Sequence, residues 1–456
     1  MAARKSRGPK RHKFRNKLLL NQWLVSLFGI DPLREHKQNG RTVRPFHILA
    51  EPIKDPRLEG LTHDNLHNFY HALVGSNLFW NDTCHLSREQ LLVYEENIAR
   101  HTQTINEGRD RPVVWKYFQW LTLVFAEIYL DRYFGDRISL RNDLNAFVQP
   151  FNRHWTDYAD VPEYGDDDLN KLCLQNATGS GKTLLMHVNL LQYRHYAHRA
   201  GYDKQLSRVI LLTPNERLSG QHVDEFRLSG IEAEPYLATR GGLFGAARGL
   251  DRVDVLEITK LADEEGPNTI ATRSLGDQNL LLVDEGHRGM SGTEEGAWFS
   301  RRSMLCEKGF TFEYSATFEQ AVSAAKRDDF ENSYARSVLF DYSYRWFYED
   351  GFGKDYQILN LPESFDETQA VYLTACLLKF YQQLRIYQEQ RSDYEPFNME
   401  KPLWVFVGST VTKAKGTKDE KAVAADVALI IEFVAAFLAD PAAAQRRIGE
   451  LLTEKG

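Results

Sequence analysis

Cysteine is scarce: Cys84, Cys173, Cys306 and Cys376 are the only four in 456 residues, and no two form a C-x-x-C pair. So wide a spacing supports neither a disulfide framework nor a zinc site. It fits a reducing cytoplasm, with the thiols acting as small buried apolar residues. Long apolar runs are also missing, which excludes a membrane-spanning helix, since about 18 uninterrupted apolar residues are needed. The best candidate, Val427 to Ala439, is broken by Glu432 and flanked by Asp426 and Asp440, so it reads as an amphipathic helix. No apolar h-region stands behind the charged N-terminus, so a secretory signal is excluded. Acids are absent from the first 17 residues, where eight Lys or Arg fall between Arg4 and Lys17. Such an arm suits neutralisation of nucleic-acid phosphates by counterion release, and equally suits a solvated, disordered terminus.

What is present indicates a folded protein. Hydrophobic residues make up 43% and charged residues 26%, enough to bury a core and to exclude disorder of the whole chain. The length fits two to four domains, or one large α/β unit with appendages. The net charge of −7 does not oppose nucleic-acid binding, because a local patch can steer a polyanion. Leu18 to Leu27, Asn65 to Val74 and Arg88 to Thr102 read as helices, and Trp115 to Phe134, long and aromatic without Gly or Pro, as a largely buried one. From about Lys171, short apolar runs alternate with helical text: Leu172–Leu174, Arg208–Leu212, Val253–Ile258, Asn279–Val283 and Thr311–Tyr314. That alternation predicts an α/β layer fold with a parallel sheet.

The strongest chemical signal is Asn176–Ala–Thr–Gly–Ser–Gly–Lys–Thr183, entered from a short strand and followed by helical text. Gly179 and Gly181 let backbone N–H groups turn towards an anion, and the new helix aims its positive end at the same place. Thr178, Gly179, Ser180 and Gly181 would form the cradle, Lys182 would hold the β- and γ-phosphates of ATP, and Thr183 would direct its hydroxyl to Mg²⁺. The strict pattern asks for Gly at position 176, where this chain has Asn. Far downstream, the strand Asn279–Val283 runs into Asp284–Glu285–Gly286–His287. Asp284, at a strand's C-terminal end, takes the second Mg²⁺-directed role, and Glu285 is the candidate to orient and deprotonate the attacking water.

Together these segments resemble the first motor lobe of superfamily 2 helicases of the D-E-A-D/D-E-A-H group. Four motifs fall in that order: Ala177–Thr183, Thr213–Gln221, Asp284–His287 and Ser315–Ala316–Thr317. Gly286 stands where Ala is usual. Within the group the chain looks most like the Res subunits of type III restriction enzymes and related phage-defence helicases, with further support in Asp341–Gly351. The resemblance is specific over about 170–317, looser to about 410 and faint before 110.

It implies a RecA-like ATP-binding lobe over 106–360, a basic arm and mainly helical region over 1–105, and a linker with an incomplete second RecA-like lobe over 361–456. It also implies roles. Thr213 and Pro214 would touch the backbone of a tracked DNA strand, though a Thr-Pro ending a strand is also an ordinary turn. Thr259 and Arg240 are further candidates for DNA contact, Arg240 with a glycine turn as its rival. His287, Ser315 and Thr317 would couple the nucleotide state to lobe movement. Gln119, in Lys116–Tyr–Phe–Gln119, resembles an adenine-reading glutamine, or is a polar residue on an aromatic core helix.

Leu403–Thr410 looks like the opening strand of the second lobe and Asp426–Leu438 like its next helix. No Q-x-x-G-R-x-x-R text follows to supply an arginine finger, and no nuclease cluster is evident. The expectation is therefore a truncated chain or split gene that binds ATP and hydrolyses it poorly alone. As a whole the resemblance implies a cytoplasmic, ATP- and Mg²⁺-dependent DNA translocase of a restriction or defence system, partnered by DNA and by a methyltransferase, nuclease or other defence subunit. The alternative is an ATP-gated nucleic-acid-binding scaffold.

Overall fold

The computed structural model describes residues 13–38, 40–80, 83–236, 250–266, 269–287, 293–325, 327–353, 365–395, 399–406 and 430–453. Arg240 and most of the basic arm therefore lie outside the described residues. The chain divides into two compact units, Met1–Lys354 and Asp355–Gly456.

The first unit is built on a seven-stranded, wholly parallel sheet. A short hairpin, β1 (His36–Gln38) and β2 (Arg41–Val43), precedes it. The sheet comprises β3 (Lys171–Asn176), β4 (Arg208–Thr213), β5 (Glu232–Pro235) and β6 (Arg252–Glu257). After the two-residue strands β7 (Leu261–Ala262) and β8 (Ile270–Ala271), which pair only with each other, come β9 (Asn279–Asp284), β10 (Phe310–Ser315) and β11 (Val338–Tyr342). The order is β11-β3-β10-β9-β4-β6-β5. Its central strands are buried almost throughout, as near-continuous apolar runs in a parallel sheet require. All five strands read from the sequence are present in this sheet. The α/β, RecA-like layer fold is thus the fold of the chain's central part.

Helices cover the sheet and carry the N-terminal region into the same unit. Before β3 come α1 (Leu19–Ser26), α2 (Pro45–Ala50), α3 (Asn68–Val74), α4 (Arg88–Asn106), α5 (Tyr117–Gly135) and α6 (Arg137–His154). Helix α5 is apolar on every face and buried from Tyr117 to Leu130 with little interruption, so it lies inside the unit as expected. Phe118 stacks on Tyr342 of β11 with ring centroids 4.0 Å apart. The Nδ2 of Asn21 in α1 donates to the Leu339 carbonyl at 3.0 Å. Lys17, read as part of a solvent-facing basic arm, is instead buried, with its ammonium 3.5 Å from Glu331 and bonded to Asn332. That pairing removes Lys17 from any phosphate-binding surface.

Between and after the strands lie α7 (Lys182–Arg199), α8 (Glu216–Leu228), α9 (Thr293–Leu305), α10 (Phe318–Ala325), α11 (Asp328–Ser337) and α12 (Tyr344–Glu349). The second unit holds α13 (Phe365–Glu389), the short α14 (Arg391–Tyr394) and a terminal helix, Pro441–Thr453. The strand expected at Leu403–Thr410 is not formed over its described part. Residues 401–406 have no regular structure, with Leu403 83% and Val405 64% exposed. Within this unit Trp404 lies against Phe406 and Phe380 rather than in a ladder. Of the helix expected at Asp426–Leu438, residues 430–438 are described and helical.

Candidate nucleotide site

Because every strand of the sheet points the same way, the C-terminal ends of β3, β10, β9 and β4 lie side by side. That edge is where a parallel α/β sheet presents ligands. The phosphate loop leaves the end of β3. Its first residue is tied down by a bond from the Ala177 N–H to the Tyr342 carbonyl at 2.9 Å, and the Ser180 N–H closes a turn onto the Ala177 carbonyl at 3.1 Å. Gly179 and Gly181 adopt φ of +83° and +85°, which a side chain would strain. Gly181 is also the N-cap of α7, so the first free N–H groups of an 18-residue helix open onto the loop. A Cβ at Gly181 would stand 2.5 Å from Gln119 Nε2.

Gln119 thus reaches the loop. Its Nε2 donates to the Ser180 carbonyl at 2.8 Å, and its Oε1 accepts from the Lys116 N–H at 2.8 Å. One N–H of its amide is left over, so its placement suits support of the loop from α5 as well as contact with a base edge. Within the loop, Asn176 and Ser180 are buried with side-chain polar atoms that have no protein partner: both amide atoms of Asn176 and the Ser180 hydroxyl.

Across β10, β9 delivers the carboxylates. Lys182, on the opposite strand's loop, donates to the carbonyls of Asn176 (3.3 Å) and Ala177 (3.4 Å). Burial lowers the Lys182 pKa from its ordinary value, while the charges of Glu285 and Asp284 push it back up. The loop after β3 and the end of β9 flank β10 at the same edge of the sheet. Asp284 is held at both oxygens: Oδ1 accepts from the Glu285 N–H at 3.0 Å, and Oδ2 lies 3.0 Å from His222 Nε2.

Glu285 has φ of +53°, one of two non-glycine residues in the left-handed region among those described. Such a conformation costs on the order of 1–3 kcal/mol and persists where the surroundings over-determine it. Here they do. The Gly286 N–H donates to the Tyr314 carbonyl at 2.9 Å, and Arg302 Nη1 donates to the Gly286 carbonyl at 3.0 Å. Arg302 belongs to a buried cluster behind the carboxylates. Its guanidinium is 3.5 Å from Glu313 and 3.1 Å from the Tyr334 hydroxyl. That hydroxyl donates to Glu313 at 2.7 Å, and Lys171 lies 3.4 Å from Glu313. The same cluster explains Gly286: a Cβ there would meet Glu313 Cβ at 3.0 Å and Phe318 at 3.3 Å.

His287 turns back along the edge. Its Nδ1 is 2.8 Å from Ser315 Oγ and 3.2 Å from Glu285, and Ser315 Oγ accepts from the Thr317 N–H at 3.0 Å. The residues read as coupling elements are thus brought together on the candidate base. Of those read as DNA contacts, Thr213 and Thr259 lie at the ends of the neighbouring strands β4 and β6, Thr213 pairing with Glu257. Thr213 and Pro214 are buried, and the Thr213 hydroxyl is 2.6 Å from Ser219 Oγ, so exposed Asn215, Glu216 and Arg217 form the accessible surface there. Thr259 is exposed, with its hydroxyl bonded to Glu257. His222, Arg302 and Glu313 were not singled out in the sequence. Each is a lone polar residue on an otherwise unremarkable helix or strand, and only the fold gives it a partner.

Magnesium would find a suitable set of oxygens. Thr183 and Asp284 offer hard donors, and the unpartnered Ser180 hydroxyl adds polarity that phosphate oxygens would satisfy. Among the described residues no cluster of three or more His, Cys, Asp or Glu forms an all-protein cage. An ion that keeps several waters and takes ligands from a substrate phosphate does not need one. Among the described residues, too, no helix is long and apolar enough to cross a membrane.

Residues 141–320 match the family model described as type III restriction enzyme, res subunit. The matched span includes all four motifs. No curated protein matches the chain.

Proposed function

We propose that this chain, whose residues 141–320 match the type III restriction enzyme res-subunit family model, is the ATP-driven motor of a restriction-type or phage-defence system, hydrolysing ATP as it moves on DNA. One observation carries the reading: the phosphate loop that follows β3, with Lys182 opening α7, and the acids Asp284 and Glu285 at the end of β9 stand on the same edge of the sheet, flanking β10, beside a helix N-terminus.

The residues divide the work by position. N–H groups of residues 178–183 and the Lys182 ammonium hold the β- and γ-phosphates. Thr183 and Asp284 would hold Mg²⁺, which when bound would supply positive charge against the negative charge developing on the phosphates. Glu285 orients a water whose oxygen bonds to the γ-phosphorus while the bond to the bridging oxygen breaks. The water's proton passes to the Glu285 carboxylate and the leaving electron pair stays on ADP. His287, hydrogen-bonded to Ser315 and lying 3.2 Å from Glu285, transmits the change towards Thr317 and the chain beyond β10. A DNA strand passing the edge would meet Asn215–Arg217 and Thr259, with Thr213 and Pro214 shaping that turn from beneath, and Arg240 is proposed to add a phosphate contact. Gln119 is proposed to support the loop and approach the adenine. DNA, together with a methyltransferase, nuclease or other defence subunit, is the proposed set of partners, in the cytoplasm.

The test is ATP hydrolysis with and without duplex and single-stranded DNA. A DNA-stimulated rate, lost in both Lys182→Ala and Glu285→Gln, is the expected result. An unchanged rate in either variant overturns the catalytic assignment. Tight Mg²⁺–ATP binding without turnover, with DNA held only in its presence, would assign the chain a gated scaffold role instead.

A further inference from the structure

Asp284 does not meet the nucleotide site alone. Helix α8 brings His222 to it, from the segment that follows β4. His222 is 5% exposed, its Nε2 is 3.0 Å from Asp284 Oδ2, and its Nδ1 is buried with no protein partner. An ionised carboxylate only accepts, so the shared hydrogen sits on Nε2. With Oδ1 taken by the Glu285 N–H at 3.0 Å, the carboxylate is clamped at both ends, and its plane and rotamer are fixed. Each oxygen keeps a further lone pair to turn towards a cation or its water.

The clamp is itself anchored. The His187 ring stacks on Phe226, one turn beyond His222 on α8, with centroids 4.1 Å apart, and His187 Nδ1 is 2.8 Å from Ser229 Oγ. Arg109 donates to Ser229 Oγ at 2.8 Å and lies 3.2 Å from Glu225. Helix α8 is thereby pinned at its C-terminal end. At the other end Ser219 Oγ of α8 lies 2.6 Å from the hydroxyl of Thr213, the last residue of β4. A helix held at both ends presents His222 at a fixed height, as a hydrogen-bonding partner of a metal-directed carboxylate must be presented.

We propose that His222 is a positioning residue for Mg²⁺–nucleotide, holding Asp284 in the orientation from which it takes the cation. This rests on the nucleotide site proposed above. Partners of this kind, acting through a ligand rather than on the metal, are typically worth about 10- to 100-fold in metal affinity.

The experiment uses the whole chain and a fluorescent ATP analogue, titrated in Mg²⁺ and separately in EDTA. His222→Phe fills the space without a donor, and His222→Gln restores an N–H donor. The expected result is a loss of about tenfold or more in Mg²⁺-dependent affinity for His222→Phe. Affinity in EDTA should stay unchanged, and His222→Gln should recover most of the loss. On an Asp284→Asn background His222→Phe should add nothing further, because its effect runs through that carboxylate. The proposal is overturned if His222→Phe binds as tightly as the parent in Mg²⁺, or if affinity falls equally with and without Mg²⁺, as general damage to α8 would cause. It is also overturned if the two substitutions add in full. A parent chain that binds the analogue under neither condition would instead bring down the nucleotide site itself, which separates the two failures. Should His222→Phe not fold, His222→Leu, smaller and equally without a donor, carries the same comparison, alone and on the Asp284→Asn background.

Discussion

Replacing Arg302 by Met tests the buried charges that hold the catalytic loop from behind. The guanidinium is 3% exposed, and Glu313 is as deeply buried. Burial alone would raise the Glu313 pKa, but Arg302 and Lys171 more than offset it, and the group ends lowered. Removing one partner of a buried pair ordinarily costs about 3–5 kcal/mol, because the other charge is stranded. Lys171 at 3.4 Å and the Tyr334 hydroxyl at 2.7 Å remain, so the ionic loss should fall at the low end, about 3 kcal/mol. The Gly286 carbonyl loses its donor as well, at roughly 1 kcal/mol.

The sign with pH follows from Glu313. In the parent its lowered pKa contributes stability above the unfolded value, and that contribution is lost as pH falls through the folded one. In Arg302→Met burial is no longer offset by Arg302, the pKa rises, and the carboxyl can neutralise itself. The penalty should therefore be large at pH 8 and shrink by pH 5. Urea unfolding followed by tryptophan fluorescence at both pH values measures it, and Arg302→Met with Glu313→Leu should recover most of the loss. A penalty under 1 kcal/mol at pH 8, or one that grows on acidification, would refute the account.

Two further outcomes are expected. Gly181→Ala combines φ of +85° with a Cβ 2.5 Å from Gln119 Nε2, so it should lower stability by at least about 1 kcal/mol and abolish analogue binding. Adding Gln119→Ala should restore part of the stability, read by thermal unfolding, and none of the strain from φ. Glu127 is fully buried on α5, where it accepts from Tyr196 and Asn97. Burial raises its pKa to about 7 from an ordinary 4.5. Stability should therefore fall as pH rises from 4.5 to 7 and then level off. Glu127→Gln should flatten that slope and gain on the order of 3 kcal/mol at pH 8, measured by urea unfolding at pH 5 and 8.

The phosphate loop and the acids of β9 were legible because each is a contiguous signal: a buried strand, a turn, then charged or glycine-rich text at its C-terminal end. Two strands of the seven-stranded sheet were not. β5, Glu–Ala–Glu–Pro, lies at the sheet's edge with one neighbour, where charge and proline are tolerated and the apolar pattern fades. β11 follows α11 directly, Ser337 to Val338, with no turn residue to mark the change. His222 and Arg302 were hidden for another reason. Their partners, Asp284 and Glu313, are remote in sequence, and nothing local distinguishes a helix histidine or arginine that will be buried from one that will be solvated. The burial of Thr213 was equally unreadable, since a strand end faces inward or outward according to how the next helix returns.

The place of β11 has a consequence for how the polypeptide matures. In chain order the last strand of the seven-stranded sheet, β11, lies beside its first, β3, and α1 rests on β11 through Asn21 and Leu339. Until the ribosome has released residue 342, β3 has an open flank and α1 lacks the strand on which it packs. Contacts this remote in sequence slow assembly and leave sticky intermediates in the meantime. Nascent chains halted before that point should depend on chaperones, and those released beyond it should not.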